Sequence, residues 1–157
     1  MGQLAGPDFI QNSHERIRAY KDALKKFQIP FEHIVESGVS FEDGEKAMEA
    51  LIHSGLQFDA VFCFTENAAL GAKHVLQHVE IPQNVAICCV SGTQLSTLVF
   101  LKMTAIEQPV QLMAQTSVKL MLEKVNNPNA KEQEVFLKAK AVLRESTDNQ
   151  LDRNNGC

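Results

Sequence analysis

Short apolar runs alternate with longer segments of helical period through the first two thirds of the chain, and this pattern limits the fold more than any other feature. In "FDAVFCFTENAALGAKHVLQHV" an apolar run leads straight into an amphipathic segment, with only Thr65, Glu66 and Asn67 at the junction. Such alternation is typical of strands joined by crossover helices in a parallel sheet. The pattern predicts an α/β fold, a three-layer α/β/α Rossmann-like lobe with a mainly parallel sheet.

The same runs predict the individual elements. Helices are expected at residues 13–27 with Ser13 as N-cap, in "SFEDGEKAMEALIHSG" with Gly55 as the stop, at 66–79 and at 110–125. Strands are expected in "QLAGP", "IPFEHIVESG", "AVFCF", "IPQNVAICCV" and "MTAIEQP", and "VFLKAKAVLRES" alternates like a half-buried strand. The closing "TDNQLDRNNGC" is predicted to be a frayed tail.

Composition excludes several classes of protein. A chain of 157 residues with 45% hydrophobic residues has the balance of an ordinary globular domain. Its 15 basic and 19 acidic residues give a net charge of -4, the wrong sign for holding nucleic acid phosphates unaided. The start lacks the pattern of a signal peptide, and no apolar run approaches the roughly 20 residues that span a bilayer. We therefore expect a cytoplasmic protein with no membrane contact.

No pattern in the sequence predicts an enzyme, a cofactor or a metal centre. His74 and His78 are spaced like a zinc pair, but "HVLQH" lacks a third ligand and favours two surface histidines. Cys88 and Cys89 should point to opposite faces of a strand, whereas Cys63 could approach one of them from a neighbouring strand. Serines near turns lack a Gly-x-Ser-x-Gly elbow.

Seven segments taken together resemble a known family. "LAGP", "ERIRAY", "FEDGEKAMEAL", "DAVFCFTENAALGAKHVL", "IPQNVAI", "MTAIEQP" and "LREST" occur in the order and at the separations of the C-terminal half of a LacI/GalR-family transcriptional regulator, over about residues 4–147. The resemblance implies one lobe of a periplasmic-binding-protein-like effector domain. In that family two α/β lobes bind a small molecule, commonly a sugar or a purine, in the cleft between them.

The resemblance also implies a division of the chain and a set of partners. Residues 3–107 plus 138–147 would form the C-terminal effector-binding lobe, 108–137 would cross to an N-terminal lobe that this chain lacks, and 148–157 would be a tail. The helix at 110–125 would then expose an apolar stripe unless it refolds, dimerises or meets a separate chain. A homodimer is expected, with DNA contact only through a helix-turn-helix headpiece outside this chain. Alone, the chain is expected to bind effector weakly and DNA not at all.

Four ligand-binding positions rest on the resemblance alone. Arg16 matches an arginine that hydrogen-bonds the effector, with a solvated helix arginine as the alternative. Val39 stands where the family often has a stacking aromatic ring, and Ser91 stands where it has an aspartate, so both depart from the pattern. Gln108 matches a glutamine at the crossover between lobes.

Thr65 and Glu66 rest on their position as well as on the resemblance. They follow a strand directly, at the edge where open α/β sheets bind ligands, and they match an Asn-Asp pair that borders the effector pocket. The alternative is that Thr65 only caps the helix and Glu66 only favours its dipole. Two other functions stay open at this point: a solute-binding protein of a sugar transporter, and a stand-alone α/β interaction domain that uses the helix at 110–125.

Overall fold

The computed structural model describes residues 1–30, 32–79, 85–91, 95–98 and 102–148. The strands are β1 (Gly2–Ala5), β2 (Ile34–Glu36), β3 (Ala60–Cys63), β4 (Ala86–Ser91), β5 (Thr104–Glu107) and β6 (Lys140–Val142). The helices are α1 (Gln11–Lys26), α2 (Phe41–His53), α3 (Glu66–His78), α4 (Leu95–Leu98) and α5 (Val110–Asn126).

The strands form a single sheet in the order β2-β1-β3-β4-β5-β6. Neighbouring strands are parallel except for β5 and β6, so the predicted mainly parallel α/β fold is confirmed. The chain moves from β1 to β2 in one direction and then returns to β3 on the other side of β1. Right-handed crossovers therefore place α1 on one face of the sheet and α2 and α3 on the other.

The ends of the first two helices show what the sequence predicts well and what it does not. At α2, the Ser40 hydroxyl and the Asp43 carboxylate form a reciprocal capping box, and Gly55 follows the helix with φ +71°. The prediction that Ser13 caps α1 is wrong, because α1 begins at Gln11. The Ser13 hydroxyl instead donates a 2.7 Å hydrogen bond to the carbonyl of Gly6, in the loop that precedes the helix.

The core lies between the sheet and the pair α2 and α3. Leu4, Met48, Leu51 and Val61 are fully buried there. The two helices also approach each other closely. A β-carbon on Gly71 of α3 would lie 2.0 Å from the carbonyl oxygen of Phe41 in α2, and one on Gly44 would lie 2.1 Å from that of Ala68. Glycine at these two positions lets the helix backbones touch.

The cysteine prediction is confirmed for the strand pair. Cys63 of β3 and Cys89 of β4 are direct partners in the register, and both lie in the core cluster. Burial raises the pKa of the Cys63 thiol well above its ordinary value and that of Cys89 to about 12. Both thiols therefore stay protonated at neutral pH and act as small core groups.

The last third of the chain departs from the prediction in two places. The expected strand in "VFLKAKAVLRES" is only three residues long, since β6 pairs with β5 at Lys140–Val142 and, among the described residues, has no neighbour on its other side. Phe136, which the predicted strand includes, is 85% exposed. The short helix α4 was not predicted. The predicted turn at 81–84 and most of the predicted tail, 149–157, lie outside the described residues.

Candidate functional site

The carboxyl ends of the parallel strands form one edge of the sheet, and this edge contains a natural ligand crevice. In an open α/β sheet the crevice lies where successive crossovers run in opposite directions. That point lies between β1 and β3 here, because the chain leaves β1 towards β2 and leaves β3 towards β4. The loops that follow β1 and β2 and the start of α3 surround it.

Arg16 is held at this point by contacts from several sides. Its Nη1 donates a 2.7 Å hydrogen bond to the carbonyl of Phe64, and its guanidinium carbon lies 4.4 Å from the centre of the Phe64 ring. The ring in turn lies against Gly6, where a β-carbon would come within 2.5 Å of it. Partial burial lowers the pKa of the guanidinium, but an arginine remains charged at physiological pH. Arg16 is therefore not a freely solvated helix arginine, and its contact with a ligand stays a prediction.

Thr65 joins the start of α3 to the loop that follows β2. Its hydroxyl accepts a 3.1 Å hydrogen bond from the backbone N–H of Ala68 and donates a 3.0 Å bond to the carbonyl of Val39. Thr65 therefore caps α3, as the alternative interpretation expects. One lone pair of the hydroxyl remains for a further donor. The Val39 side chain is 44% exposed and leaves an apolar surface beside the threonine.

Glu66 is turned inward rather than towards solvent. Its side chain is buried, with 5% exposure, and its Oε1 accepts a 2.5 Å hydrogen bond from the backbone N–H of Ser96. The carboxylate therefore ties the start of α3 to α4, in the segment that follows β4. Its place in the first turn of α3 also favours a negative charge, because the unpaired backbone N–H groups of that turn leave a partial positive charge at the helix N-terminus.

The last two predicted positions lie further along the same edge. Ser91 ends β4 and pairs with Glu107 of β5, but its side chain lies outside what the structure describes. Gln108 follows β5 and is exposed. Because strands in a sheet lie about 4.8 Å apart, Gln108 is roughly 10 Å across the sheet from the end of β3. Among the residues described, the structure brings Arg16, Val39 and Thr65 together and leaves Gln108 apart.

Two further residues at this edge were missed by the sequence analysis. Phe9, in the loop between β1 and α1, is 89% exposed. Ser37 follows β2 directly, and its hydroxyl is buried without a hydrogen-bond partner among the described residues. The sequence could have identified both residues, because each lies in the turn that follows a predicted strand. A buried hydroxyl without a partner is uncommon in folded proteins.

The groups at this edge suit a small polar ligand. They combine one cation, hydroxyl and backbone groups, and exposed apolar surface, which is the mixture found in small-molecule sites. In the described ranges, no three or more His, Cys, Asp or Glu side chains lie where they could hold a metal ion. That part of the chain also contains no helix with the length and apolarity needed to cross a membrane.

Comparisons with known proteins agree with this geometry. Residues 3–147 match the family described as periplasmic binding protein-like domain. The ribose operon repressor of Haemophilus influenzae is 30% identical over 138 residues, which are 85% of this chain and 42% of the repressor. The transcriptional regulator GalR of Salmonella typhimurium is 32% identical over 126 residues, which are 78% of this chain and 37% of GalR.

A solved structure gives the same result. A LacI family transcriptional regulator from Enterococcus faecium, determined with bound ribose, superposes with a TM-score of 0.82 at 26% identity, over 93% of this chain and 56% of that one. The chain thus spans less than half the length of the curated relatives it matches. Those relatives are regulators rather than enzymes.

Proposed function

Because the chain belongs to the periplasmic binding protein-like domain family, and its relatives are regulators of the LacI/GalR type, we propose that it is the C-terminal effector-binding part of such a regulator. The effector is a small polyhydroxylated molecule, a sugar or a related metabolite. The observation that carries this proposal is the group formed by Arg16, Thr65 and the Val39 loop at the point where the crossovers reverse.

Each part of this group has a role that suits a sugar. The guanidinium of Arg16 is a planar set of donors for hydroxyl or carboxylate oxygens. Thr65 retains one acceptor lone pair for a ligand hydroxyl. The apolar faces of sugar rings need apolar contacts, which Val39 and the exposed ring of Phe9 supply. Ser91 extends the same site as a hydrogen-bonding group, Gln108 lies at the crossover to the second lobe, and Glu66 acts on the site through its bond to α4.

The division of the chain follows from the same proposal. Residues 3–107 plus 138–147 form the effector-binding lobe, 108–137 pack on a second lobe, and 148–157 form a tail. The protein acts in the cytoplasm as a homodimer and contacts DNA through a helix-turn-helix outside this chain. Effector binding favours one arrangement of the two lobes over the other, and this difference in affinity shifts the population that binds DNA.

Titration of the chain with ribose, cellobiose and nucleobases tests the proposal. We expect binding weaker than micromolar in calorimetry, because one lobe supplies only part of the contacts around a ligand. In nitrogen-proton NMR spectra, millimolar ribose should shift the amide signals of residues 6–16, 37–40 and 65–68. The variant Arg16→Ala should lose these shifts, whereas Arg18→Ala, an exposed arginine on the same helix, should retain them.

Two results would contradict this assignment. Micromolar binding by this chain alone would show that a second lobe is not needed. Shifts that are the same in Arg16→Ala and the unmodified chain would remove Arg16 from the site.

The exposed face of α5 supports a second candidate, a surface that binds another protein. No residue of α5 is buried. Seven of its eight large apolar side chains are between 42% and 70% exposed, and a contiguous apolar surface of this kind marks a site that binds another protein or another part of the same protein. These residues are Val110, Leu112, Met113, Val118, Met121, Leu122 and Val125.

The double variant Met113→Glu, Met121→Glu tests whether the chain self-associates through the exposed apolar face of α5. We expect the unmodified chain to self-associate in size-exclusion chromatography with light scattering, and the double variant to be monomeric. Its free energy of unfolding should change by less than about 0.5 kcal/mol, because both side chains are exposed. Met48→Ala serves as the reference, because Met48 lies in the core, and its free energy of unfolding should fall by about 2–5 kcal/mol. A monomeric unmodified chain would argue against α5 as a surface that binds another protein.

A further inference from the structure

Two histidines lie side by side on the outer surface of α3. His74 and His78 are four residues apart, so their side chains emerge from the same face of the helix one turn from each other. Both are exposed. Their ring centres are 4.5 Å apart with the ring planes at 58°. This face lies at the far end of α3 from the crevice that Thr65 borders, so the pair is separate from the effector site.

The first ring is oriented by a residue of the neighbouring helix. Nδ1 of His74 lies 2.7 Å from Oε1 of Glu45 in α2. An ionised carboxylate can only accept a hydrogen bond, so the proton of a neutral His74 ring lies on Nδ1. The Nε2 atom then carries a free lone pair. A carboxylate bonded to the second nitrogen is the usual partner of a metal-binding histidine.

The second ring is oriented by the helix backbone. Nδ1 of His78 lies 2.8 Å from the carbonyl oxygen of His74. A carbonyl also only accepts, so His78 donates from Nδ1 and leaves its Nε2 unprotonated in the neutral ring. This bond turns the His78 ring back towards His74. When neutral, both imidazoles are therefore held in the tautomer that binds metals through Nε2, and each Nδ1 has the acceptor that metal-bound histidines use.

We propose that His74 and His78 chelate a divalent transition-metal ion through their Nε2 atoms, with Glu45 as a positioning residue. Imidazole suits Cu²⁺, Ni²⁺ and Zn²⁺, whereas Mg²⁺ and Ca²⁺ prefer oxygen ligands. Affinity should follow the order Cu²⁺ above Ni²⁺ and Zn²⁺. The described part of the chain supplies two ligands, so water completes the coordination sphere and binding is weaker than in a closed four-ligand site.

Metal binding at this pair has a local structural consequence. The last turn of α3 ends at His78, and Val79 is already extended. An ion that links residues 74 and 78 closes this turn and opposes its fraying, because bound metal stabilises only the helical form. Hydrogen exchange of the amides at 76–79 should therefore slow when the metal is present.

Nickel titration of the untagged chain tests the proposal. Ni²⁺ is preferred to Cu²⁺ as the probe because it does not oxidise thiols. We expect paramagnetic broadening of NMR signals centred on residues 74–78. The variants His74→Ala and His78→Ala should each weaken Ni²⁺ binding at least tenfold, and Glu45→Gln should weaken it by about 10- to 100-fold. His14→Ala, which removes an exposed histidine on α1 instead, should leave it unchanged.

The outcomes separate a built site from general histidine binding. Glu45→Gln keeps both ligands, so its loss of affinity supports an oriented pair, and circular dichroism establishes that each variant is folded. Broadening that is spread over all exposed histidines, or equal affinity in His78→Ala and His14→Ala, would overturn the proposal. Unchanged affinity in Glu45→Gln would overturn the role of Glu45.

Discussion

Replacing Gly71 with alanine is expected to destabilise the protein by about 3 kcal/mol or more. Alanine in a helix normally gains about 1 kcal/mol over glycine, so the expected sign is the reverse of helix propensity. The reason is the contact between α2 and α3, where the new methyl group would lie 2.0 Å from the carbonyl oxygen of Phe41 and 2.9 Å from the backbone nitrogen of Glu45. Backbone atoms cannot move aside as a flexible side chain can.

Urea unfolding followed by circular dichroism measures the change, with Gly55→Ala as the matched control. Gly55 has φ +71° and no atom within 4 Å of an added β-carbon. The free energy of unfolding of Gly55→Ala should fall by only about 1–2 kcal/mol, because alanine is strained in a left-handed backbone conformation. If Gly71→Ala loses no more than Gly55→Ala, the two helices can separate at little cost and the close contact is not a requirement of the fold.

Replacing Glu66 with alanine is expected to destabilise the protein by about 1–3 kcal/mol and to weaken effector binding at least tenfold. The variant removes the acceptor of the buried Ser96 N–H, so the hydrogen bond between α4 and the start of α3 is lost. Stability falls because an unsatisfied buried donor has lost its water as well as its partner. We expect binding to fall because Glu66 lies in the first turn of α3, beside Thr65 at the crevice, and its bond to Ser96 helps to hold that turn in place.

Glu66→Gln distinguishes a positioning role from direct contact with the ligand. A glutamine oxygen can still accept from Ser96, so this variant should recover most of the stability and much of the ribose-induced NMR shift. Glu42→Ala, in the first turn of α2 and exposed, controls for loss of a helix-dipole carboxylate. Full ribose binding in Glu66→Ala would show that α4 has no part in the site.

The order and type of the main elements could be predicted because the apolar periods are strong and local. Ser40 and Gly55 predict the two ends of α2, because capping depends only on residues that are close in the sequence. Ser13 does not cap α1, because the helix begins two residues earlier, at Gln11, and the Ser13 hydroxyl donates to the carbonyl of Gly6 in the preceding loop. Local signals do not show how the preceding loop folds, and that loop sets where the helix begins.

The site was harder to predict than the fold. Position after a strand was enough to select Thr65, but its bond to Val39 joins residues 26 apart in the sequence. The hydrogen bond from Ser96 to Glu66 joins residues 30 apart in the sequence, and the spacing of apolar residues gives no sign of it. The length of β6 depends on pairing with β5 alone, so an alternating pattern overestimated it. The tautomers of His74 and His78 likewise depend on Glu45 and on backbone geometry.

The stacking of Arg16 on Phe64 bears on the thermodynamics of recognition. A free arginine side chain samples many rotamers, and a ligand that immobilises it loses roughly 0.5–1.5 kcal/mol of affinity to that ordering. Here the hydrogen bond to the Phe64 carbonyl and the contact of the guanidinium with the Phe64 ring already remove this freedom when the chain folds. The Arg16 side chain therefore loses its conformational entropy when the chain folds and not when a ligand binds. A ligand then meets guanidinium N–H donors that are already aligned.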